Sequence, residues 1–182
     1  MAKITYDTDR PIKVEKSLPD FIADRLPEGV TDENERLRFF MGEALKAAKQ
    51  SLEAGDVPVG CVIVRHNEII SYAFNERERE KCAVRHAELT AIERACASLR
   101  GWRLVSCEMY VTLEPCPMCA GAIANARIPT LVIGAPDPKG GAVGGMFDLF
   151  STGVNHKPKI VRGVMESECS KLLRDFFADK RQ

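Results

Sequence analysis

The sequence has 182 residues, of which 45% are hydrophobic and 29% charged, a composition typical of one globular domain with a sizeable core. Its 26 Lys and Arg balance its 26 Asp and Glu, which excludes a polycation that binds nucleic acid through bulk charge. No run of 18 apolar residues occurs, so we expect no membrane-spanning helix and no signal peptide. Seven cysteines without a secretory segment favour a reducing, cytoplasmic location.

The first 34 residues differ in character from the rest of the chain. Residues 1–34 contain prolines at positions 11, 19 and 27, and they carry five Lys or Arg against eight Asp or Glu. Residues 35–182 carry 21 Lys or Arg against 18 Asp or Glu. We therefore interpret 1–34 as an arm of unknown role and 35–182 as the folded domain. Within the arm, LPDFIADRL (18–26) allows a short helical turn.

The domain begins with a predicted helix followed by a predicted hairpin. The helix starts at Glu35 and is closed by Gly55, and its apolar positions follow the 3, 4 spacing of one helical face: Leu37, Met41, Ala44, Ala48 and Leu52. Residues 57–64 and 68–75 then predict two strands around the short turn RHN. The first strand is apolar on both faces, which indicates a central position in a sheet. A charged loop, ERERE (76–80), follows.

The remaining elements alternate between helix and strand. In chain order they are a helix from near His86, a strand at 107–113, a helix from Cys116, a strand at 130–135, a glycine-rich loop at 136–145 and a last helix at about 166–180. This alternation predicts a layered α/β domain whose partly parallel sheet is covered on both faces.

Two cysteines open the alanine-rich helix in YVTLEPCPMCAGAIANARIP (110–129). Cys116 and Cys119 stand three positions apart, where neighbouring prolines favour a helix start. A Cys-x-x-Cys pair alone is a weak signal, since it occurs in redox pairs, in structural zinc sites and by chance. The other five cysteines are interpreted as buried thiols, because most fall in apolar periods: Cys61, Cys82, Cys96, Cys107 and Cys169.

His86 and Glu88 open another helix upstream of the cysteine pair. Positions i and i+2 of a helix point away from each other, so these two side chains can serve one site only across the end of the helix. Two helix N-termini that face one point would allow this, and their dipoles would favour thiolates. One His and two Cys provide three zinc ligands and leave a fourth position for water, as in a catalytic site. A nearby carboxylate that is not a ligand can then move protons.

The order His-x-Glu followed by Pro-Cys-x-x-Cys resembles the signature of the zinc nucleobase deaminases. From about Leu37 to Arg181 the chain is similar to the bacterial tRNA-specific adenosine deaminases, although the short members of that family have no counterpart of the arm. The similar pieces are DVPVGCVIV, FNERE, RHAELTAI, YVTLEPCPMCAGAI, ARIPTLVIGAPDPKGGAVG and NHKPKIVRGVMESECSKLLRDFF. The resemblance implies a cytidine-deaminase-like fold of three α/β/α layers with a central five-stranded mixed sheet, in a homodimer.

The same resemblance implies an activity and a set of site residues. The activity is the conversion of adenosine to inosine at the wobble position of a tRNA anticodon stem-loop. The resemblance implies no organic cofactor and no association with a membrane. Asn75 matches a base-contacting asparagine, Asp137 matches an aspartate close to the RNA backbone, and Glu88 matches the proton shuttle. One Zn²⁺ per chain is implied, with three ligands: His86, Cys116 and Cys119.

Two alternatives compete with this interpretation. A zinc deaminase that acts on guanine, cytosine or a free nucleoside shares the signature, and zero net charge suits it. A non-catalytic scaffold stabilised by zinc has no need of Glu88. The C-terminal similarity and the basic loop residues Arg77, Arg79, Lys81 and Arg85 argue against the first alternative, and the presence of Glu88 argues against the second. These four basic residues, together with Lys139, Lys180 and Arg181, could contact phosphates.

Overall fold

The structure, a computed structural model, describes residues 18–20 and 22–180. Within this part of the chain, helices and strands alternate as predicted. The elements are α1 (Glu33–Glu53), β1 (Gly60–Arg65), β2 (Glu68–Phe74), α2 (Arg77–Glu80), α3 (Ala87–Leu99), β3 (Glu108–Leu113), α4 (Pro117–Ala126), β4 (Thr130–Ala135), β5 (Lys159–Val161) and α5 (Glu166–Asp179). None of the helices that these residues form has the length and hydropathy needed to cross a bilayer.

The five strands form one mixed sheet in the order β2-β1-β3-β4-β5. Strand β1 pairs antiparallel with β2 and with β3, whereas β3, β4 and β5 run parallel. Because β1 opposes both of its neighbours, β2 points the same way as β3 and β4. The carboxyl ends of these three strands therefore lie at one edge of the sheet, where open α/β sheets commonly bind ligands. We call it the carboxyl edge.

Side chains alternate between two hydrophobic layers, one on each face of the sheet. In β1, Cys61 and Ile63 pack with Ala91 of α3 and Ile123 of α4. The intervening residues of β1 pack on the opposite face against α1 and α5 through a second cluster, which includes Val62, Val64, Phe40, Met41 and Cys169. A strand that is buried on both faces has a continuous run of apolar residues, as β1 does. The predicted three-layer α/β/α fold with a five-stranded mixed sheet is confirmed.

Two local features differ from the sequence interpretation. The charged segment 76–80 contains the short helix α2, and the position of the fifth strand, β5, was not predicted. In the stretch 18–26, Ile22 N–H donates to the carbonyl of Pro19 at 3.0 Å, which agrees with the short turn expected there. Strand β5 is only partly buried, so its sequence lacks the apolar run that marks the central strands.

The part of the arm that the structure describes packs on the domain. Ile22 and Leu26 are buried in the cluster beneath α1. The backbone beside them hydrogen-bonds to the start of β2, with Ile69 N–H donating to the carbonyl of Asp24 at 2.8 Å. This segment covers the beginning of an edge strand, whose backbone groups would otherwise face solvent. The expected boundary after residue 34 stays a prediction, and residues 1–17 lie outside the described chain.

Candidate metal centre and active site

Three potential metal ligands lie together at the carboxyl edge. Nδ1 of His86 is 3.7 Å from Sγ of Cys116 and 3.6 Å from Sγ of Cys119. The three donor atoms all fall within 4.8 Å of one another. One imidazole nitrogen and two thiol sulfurs are donors that Zn²⁺ prefers, and three protein ligands leave a fourth position open. The structure thus joins residues that are 30 and 33 positions apart in the chain.

The two helix starts create this arrangement. His86 immediately precedes α3 and Cys116 immediately precedes α4, and neither side chain caps its own helix. Both side chains therefore remain available as ligands. Pro117 occupies the first position of α4, where its missing N–H costs no helical hydrogen bond. Cys119 follows in the first turn, so both thiols lie where the helix dipole favours negative charge.

Contacts within the cluster separate the pKa values of the two thiols. The hydrogen bond with Cys119, followed by the one with His86, lowers the pKa of Cys116 to about 4. The hydrogen bond with Cys116, together with burial and the nearby Glu88 carboxylate, raises the pKa of Cys119. Cys116 is therefore a thiolate at neutral pH, and a divalent cation would stabilise the second thiolate as well.

Glu88 lies beside the three ligands without belonging to their cluster. It is the second residue of α3, and only 4% of it is exposed. Burial raises the pKa of its carboxyl group, and its contact with Cys119 shows how close it lies to the ligands. A buried carboxyl group with a raised pKa is suited to accept and return a proton near neutral pH.

Asn75, which directly follows β2, is tied to the start of α3. Its side-chain Oδ1 accepts a hydrogen bond from the backbone N–H of Ala87 at 3.0 Å. Its backbone N–H donates to the carbonyl of Val59. The residue is 6% exposed. With the oxygen engaged, the Nδ2 amide group is the part of this side chain that can donate to a ligand.

Asp137 lies in the glycine-rich loop after β4, at the same edge of the sheet. Its Oδ1 accepts hydrogen bonds from the backbone N–H groups of Lys139 and Gly140, each at 3.0 Å. This is an Asx-type turn, in which the carboxylate fixes the loop that carries it. In the structure the loop extends to Phe147, and we use the name glycine-rich loop for residues 136–147 from here on. It is joined to the segment before α4 by a 2.9 Å hydrogen bond from Ala142 N–H to the carbonyl of Pro115.

Sequence reasoning overlooked Glu114, although it lies two positions before Cys116. Its carboxylate is 6% exposed and accepts three backbone N–H groups of the glycine-rich loop, those of Asp137, Val143 and Gly145. The one available signal was a charged residue between an apolar strand and the Pro-Cys step. Nothing in the sequence indicated which donors this carboxylate would meet.

Most of the basic residues near the site are engaged in ion pairs. Arg79 pairs with the buried Glu76 and with Glu80, Lys81 with Glu78, and Arg85 with Glu93. Among the described residues, Arg77 has neither an ion pair nor a hydrogen bond from its guanidinium group, and its charge acts on His86. Of the expected phosphate contacts in the segment 77–85, Arg77 is thus the exposed one whose guanidinium group has no ion pair among the described residues, while Arg181 lies outside the described chain.

Comparisons with known proteins agree with this geometry. The cytidine and deoxycytidylate deaminase zinc-binding region matches residues 34–135. A tRNA-specific adenosine deaminase of Bacillus subtilis (strain 168) is 46% identical over 144 residues, which cover 79% of this chain and 89% of that protein. One similar structure was solved in a study of A-to-I editing by tRNA:A34 deaminases at the wobble position of transfer RNA. Its sequence is 41% identical and its TM-score is 0.70, and the match covers 74% of this chain and 98% of that one.

A structure of guanine deaminase from Bacillus subtilis is also similar. It is 36% identical, has a TM-score of 0.52, and covers 62% of this chain and 71% of that one. The matched zinc-binding region contains the three clustered donors together with Glu88 and Asn75, whereas Asp137 falls two residues beyond its end.

Proposed function

The chain belongs to the tRNA-specific adenosine deaminases of the cytidine and deoxycytidylate deaminase family, and we propose that it converts adenosine to inosine at the wobble position of a tRNA anticodon. The observation that carries the proposal is the cluster of His86, Cys116 and Cys119 beside the buried Glu88. The reaction is hydrolytic, since water replaces the amino group at C6 of adenine and ammonia leaves.

Zinc fits the donor set, and His86, Cys116 and Cys119 would hold it. The ion supplies Lewis acidity, which makes hydroxide available at neutral pH. The protein contributes the two helix starts that would fix the three ligands.

Glu88 is the group that we assign to proton transfer. Its carboxylate lies against the ligand cluster in a buried position, and burial raises the pKa of that carboxyl group. It can take the first proton of the attacking water and pass it to the ring nitrogen beside C6. It can then take the second proton, from the hydroxyl group now on C6, and deliver it to the amino group, so that ammonia leaves as the C6 carbonyl of inosine forms. Glu88 ends the cycle in its starting state, as a general acid/base catalyst must.

Asn75 is the residue that we assign to base recognition. Because Ala87 N–H occupies its oxygen, Asn75 presents an N–H donor. A donor selects an acceptor atom on the edge of a purine, and the hydrogen bond to α3 holds this donor close to His86. Base orientation and metal position are therefore set by the same helix start.

A groove beside the site supports a single-stranded RNA substrate. It has a volume of about 660 Å³ and lies between the glycine-rich loop and α5 at the carboxyl edge. Its apolar side chains are Val57, Leu113, Leu173 and Phe177, and its charged ones are Asp137, Lys139, Arg174 and Lys180. Apolar and aromatic surface next to cations suits unstacked bases and their phosphates. We propose that nucleotides of the anticodon stem-loop next to the reacting adenosine approach along this side.

We propose that the chain forms a homodimer. We also propose that it acts in the cytoplasm, where its tRNA substrate is found. Three large apolar side chains are exposed near the candidate site. They are Met118 in the first turn of α4, at 36%, and Met146 and Phe147 of the glycine-rich loop, at 55% and 39%. In α4 itself, Gly121 and Ala122 are small and partly exposed, so they allow close approach of a second helix. We call this surface the α4 face. It is the surface that we propose a second copy covers.

The test of the function is a comparison of substrates. The purified chain is incubated with an anticodon stem-loop that carries adenosine at the wobble position, and separately with guanine, cytosine and free adenosine. We expect inosine in the stem-loop and no turnover of the free compounds. Similarity to guanine deaminase makes a free purine the second candidate. Turnover of guanine with an unaltered stem-loop would establish that candidate instead.

A further inference from the structure

Glu114 connects the segment before Cys116 to the glycine-rich loop through three hydrogen bonds. Its Oε1 accepts hydrogen bonds from the N–H groups of Val143 and Gly145 at 2.9 and 2.8 Å, and its Oε2 accepts one from Asp137 N–H at 3.0 Å. Glu114 is 6% exposed, and among the described residues its carboxylate has backbone N–H groups as its hydrogen-bond partners and no ion pair. Such charge-assisted bonds are roughly twice as strong as those between neutral groups.

The two ends of this contact serve different parts of the site. Glu114 belongs to the short segment between β3 and Cys116, and its N–H continues the sheet by donating to the carbonyl of Ala135 at 2.9 Å. At the other end of these hydrogen bonds, the glycine-rich loop carries Asp137, which lines the groove that we propose for the RNA. A shift of the carboxylate would therefore change the position of the RNA-binding loop relative to the metal ligands.

Two glycines of the loop lie against this carboxylate and against the Asp137 carbonyl. A Cβ atom on Gly141 would overlap Cδ of Glu114, and would lie 2.5 Å from Oε1 of Glu114 and 2.6 Å from the carbonyl oxygen of Asp137. A Cβ atom on Gly145 would overlap the carbonyl oxygen of Asp137 and would lie 2.8 Å from Oε2 of Glu114. Gly141 has no positive φ that would otherwise demand glycine, so close approach to the Glu114 carboxylate and to the loop backbone accounts for it.

We propose that Glu114 is a positioning residue for the deamination, holding Asp137 and the glycine-rich loop at a fixed distance from the metal centre. The kinetic part of this proposal rests on the proposed function. Glu114 does not touch the reacting atoms. It acts through the three N–H groups that it accepts, so its removal should weaken substrate binding more than it slows the chemical step.

Glu114→Gln is the informative variant, because it keeps the shape and removes one acceptor. If the amide oxygen keeps the N–H groups of Val143 and Gly145, the amide nitrogen faces the N–H of Asp137, and that hydrogen bond is lost. The control is Glu43→Gln, since Glu43 is another buried carboxylate that accepts a backbone N–H, from Ala23 at 2.9 Å, at a place remote from the site. Glu43 also pairs with Lys46 through Oε1 at 2.8 Å, so this variant tests whether disturbing any buried carboxylate is enough to change KM.

Kinetics on the stem-loop and amide exchange together decide the proposal. For Glu114→Gln we expect KM to rise about 5- to 30-fold, as the loss of one such bond implies, while kcat changes by less than about threefold. Amide protection should fall at residues 137–145, and the zinc content should stay at one per chain. Glu43→Gln should leave KM and this loop unchanged. A purely structural role would make the two variants alike in KM, which overturns the proposal.

A double-mutant cycle with Asp137→Asn adds a second criterion. If Glu114 acts by placing the Asp137 carboxylate, Glu114→Gln should have little further effect on KM once that carboxylate is gone. Additive effects, or an unchanged KM in Asp137→Asn alone, would overturn this. Failure of the unaltered chain to form inosine would count against the proposed function instead. Amide protection at 137–145 would then decide whether Glu114 holds the loop.

Discussion

Several side chains of the candidate active site are held by backbone groups of a neighbouring segment. Asn75 accepts from the first residue of α3, Glu114 accepts from the glycine-rich loop, and Asp137 accepts within its own turn. A side chain fixed in this way loses rotamer freedom on folding rather than on substrate binding, so less entropy is lost in the complex. Isosteric substitutions at these positions should therefore change activity before they change the fold.

Glu88→Gln should abolish most turnover while zinc remains bound. The amide cannot accept or return a proton, and loss of general acid/base catalysis lowers kcat by about 10²–10⁴-fold. His86, Cys116 and Cys119 are unchanged, so metal analysis should still give one zinc per chain. Inosine formation under single-turnover conditions measures the effect. A variant with the original rate would remove Glu88 from the mechanism, and a variant without zinc would make it a structural residue.

Arg77→Ala should weaken binding of the stem-loop and reduce its dependence on salt. A cation that contacts one phosphate contributes about one unit to the slope of log K against log[salt]. Lys81→Ala is the matched control, because Lys81 is an exposed cation on the same segment but is paired with Glu78. Binding titrations at several salt concentrations should show the smaller slope for Arg77→Ala only. Equal slopes in the two variants would show that Arg77 makes no special phosphate contact.

At the scale of elements, the sequence predicts what depends on local pattern. The helix starts at His86 and Cys116, the central strands and the last helix were predicted within a few residues, because apolar periodicity and prolines mark them. The position of strand β5 was not predicted, since three partly buried residues carry no period.

The contacts of Glu114 could not be predicted from the sequence for a different reason. They depend on partners brought close by the tertiary fold, namely loop N–H groups 23 to 31 positions away. The basic segment pairs instead with local partners, because Arg79 and Glu76, like Lys81 and Glu78, are three positions apart. The proximity of His86, Cys116 and Cys119 was predicted because their order resembles a known zinc signature, which gives these residues one use in common. A carboxylate has many, and only the folded chain shows which one applies.

Leu26→Ala should show that residues 18–32 belong energetically to the folded domain. Leu26 is buried in the cluster under α1, and replacing a buried leucine by alanine costs about 2–4 kcal/mol of unfolding free energy. Leu52→Ala is the control, because that leucine is 40% exposed and should cost less than about 1 kcal/mol. Urea unfolding followed by circular dichroism measures both. Equal midpoints would mean that this part of the arm contributes nothing to stability.

At the scale of the whole molecule, the sheet topology brings the site together. Because β2, β3 and β4 share one direction, the residues that follow them, Asn75, Glu114 and Asp137, meet at the carboxyl edge. The helices that start there add the three metal ligands. The groove between the glycine-rich loop and α5 opens at the same edge, so the proposed RNA path and the metal centre share one side of the molecule.

The α4 face leads to a prediction about assembly. Phe147→Glu places a charge on the exposed apolar surface that we propose is covered by a second copy, and burying an unpaired charge there would strongly oppose association. We expect the unaltered chain to sediment as a dimer at micromolar concentration and Phe147→Glu to sediment as a monomer. The control is Trp102→Glu, since Trp102 is 56% exposed but lies before β3, away from the carboxyl edge. A monomer in the unaltered chain would refute the dimer, and dissociation by Trp102→Glu alone would move the interface to the opposite edge of the sheet.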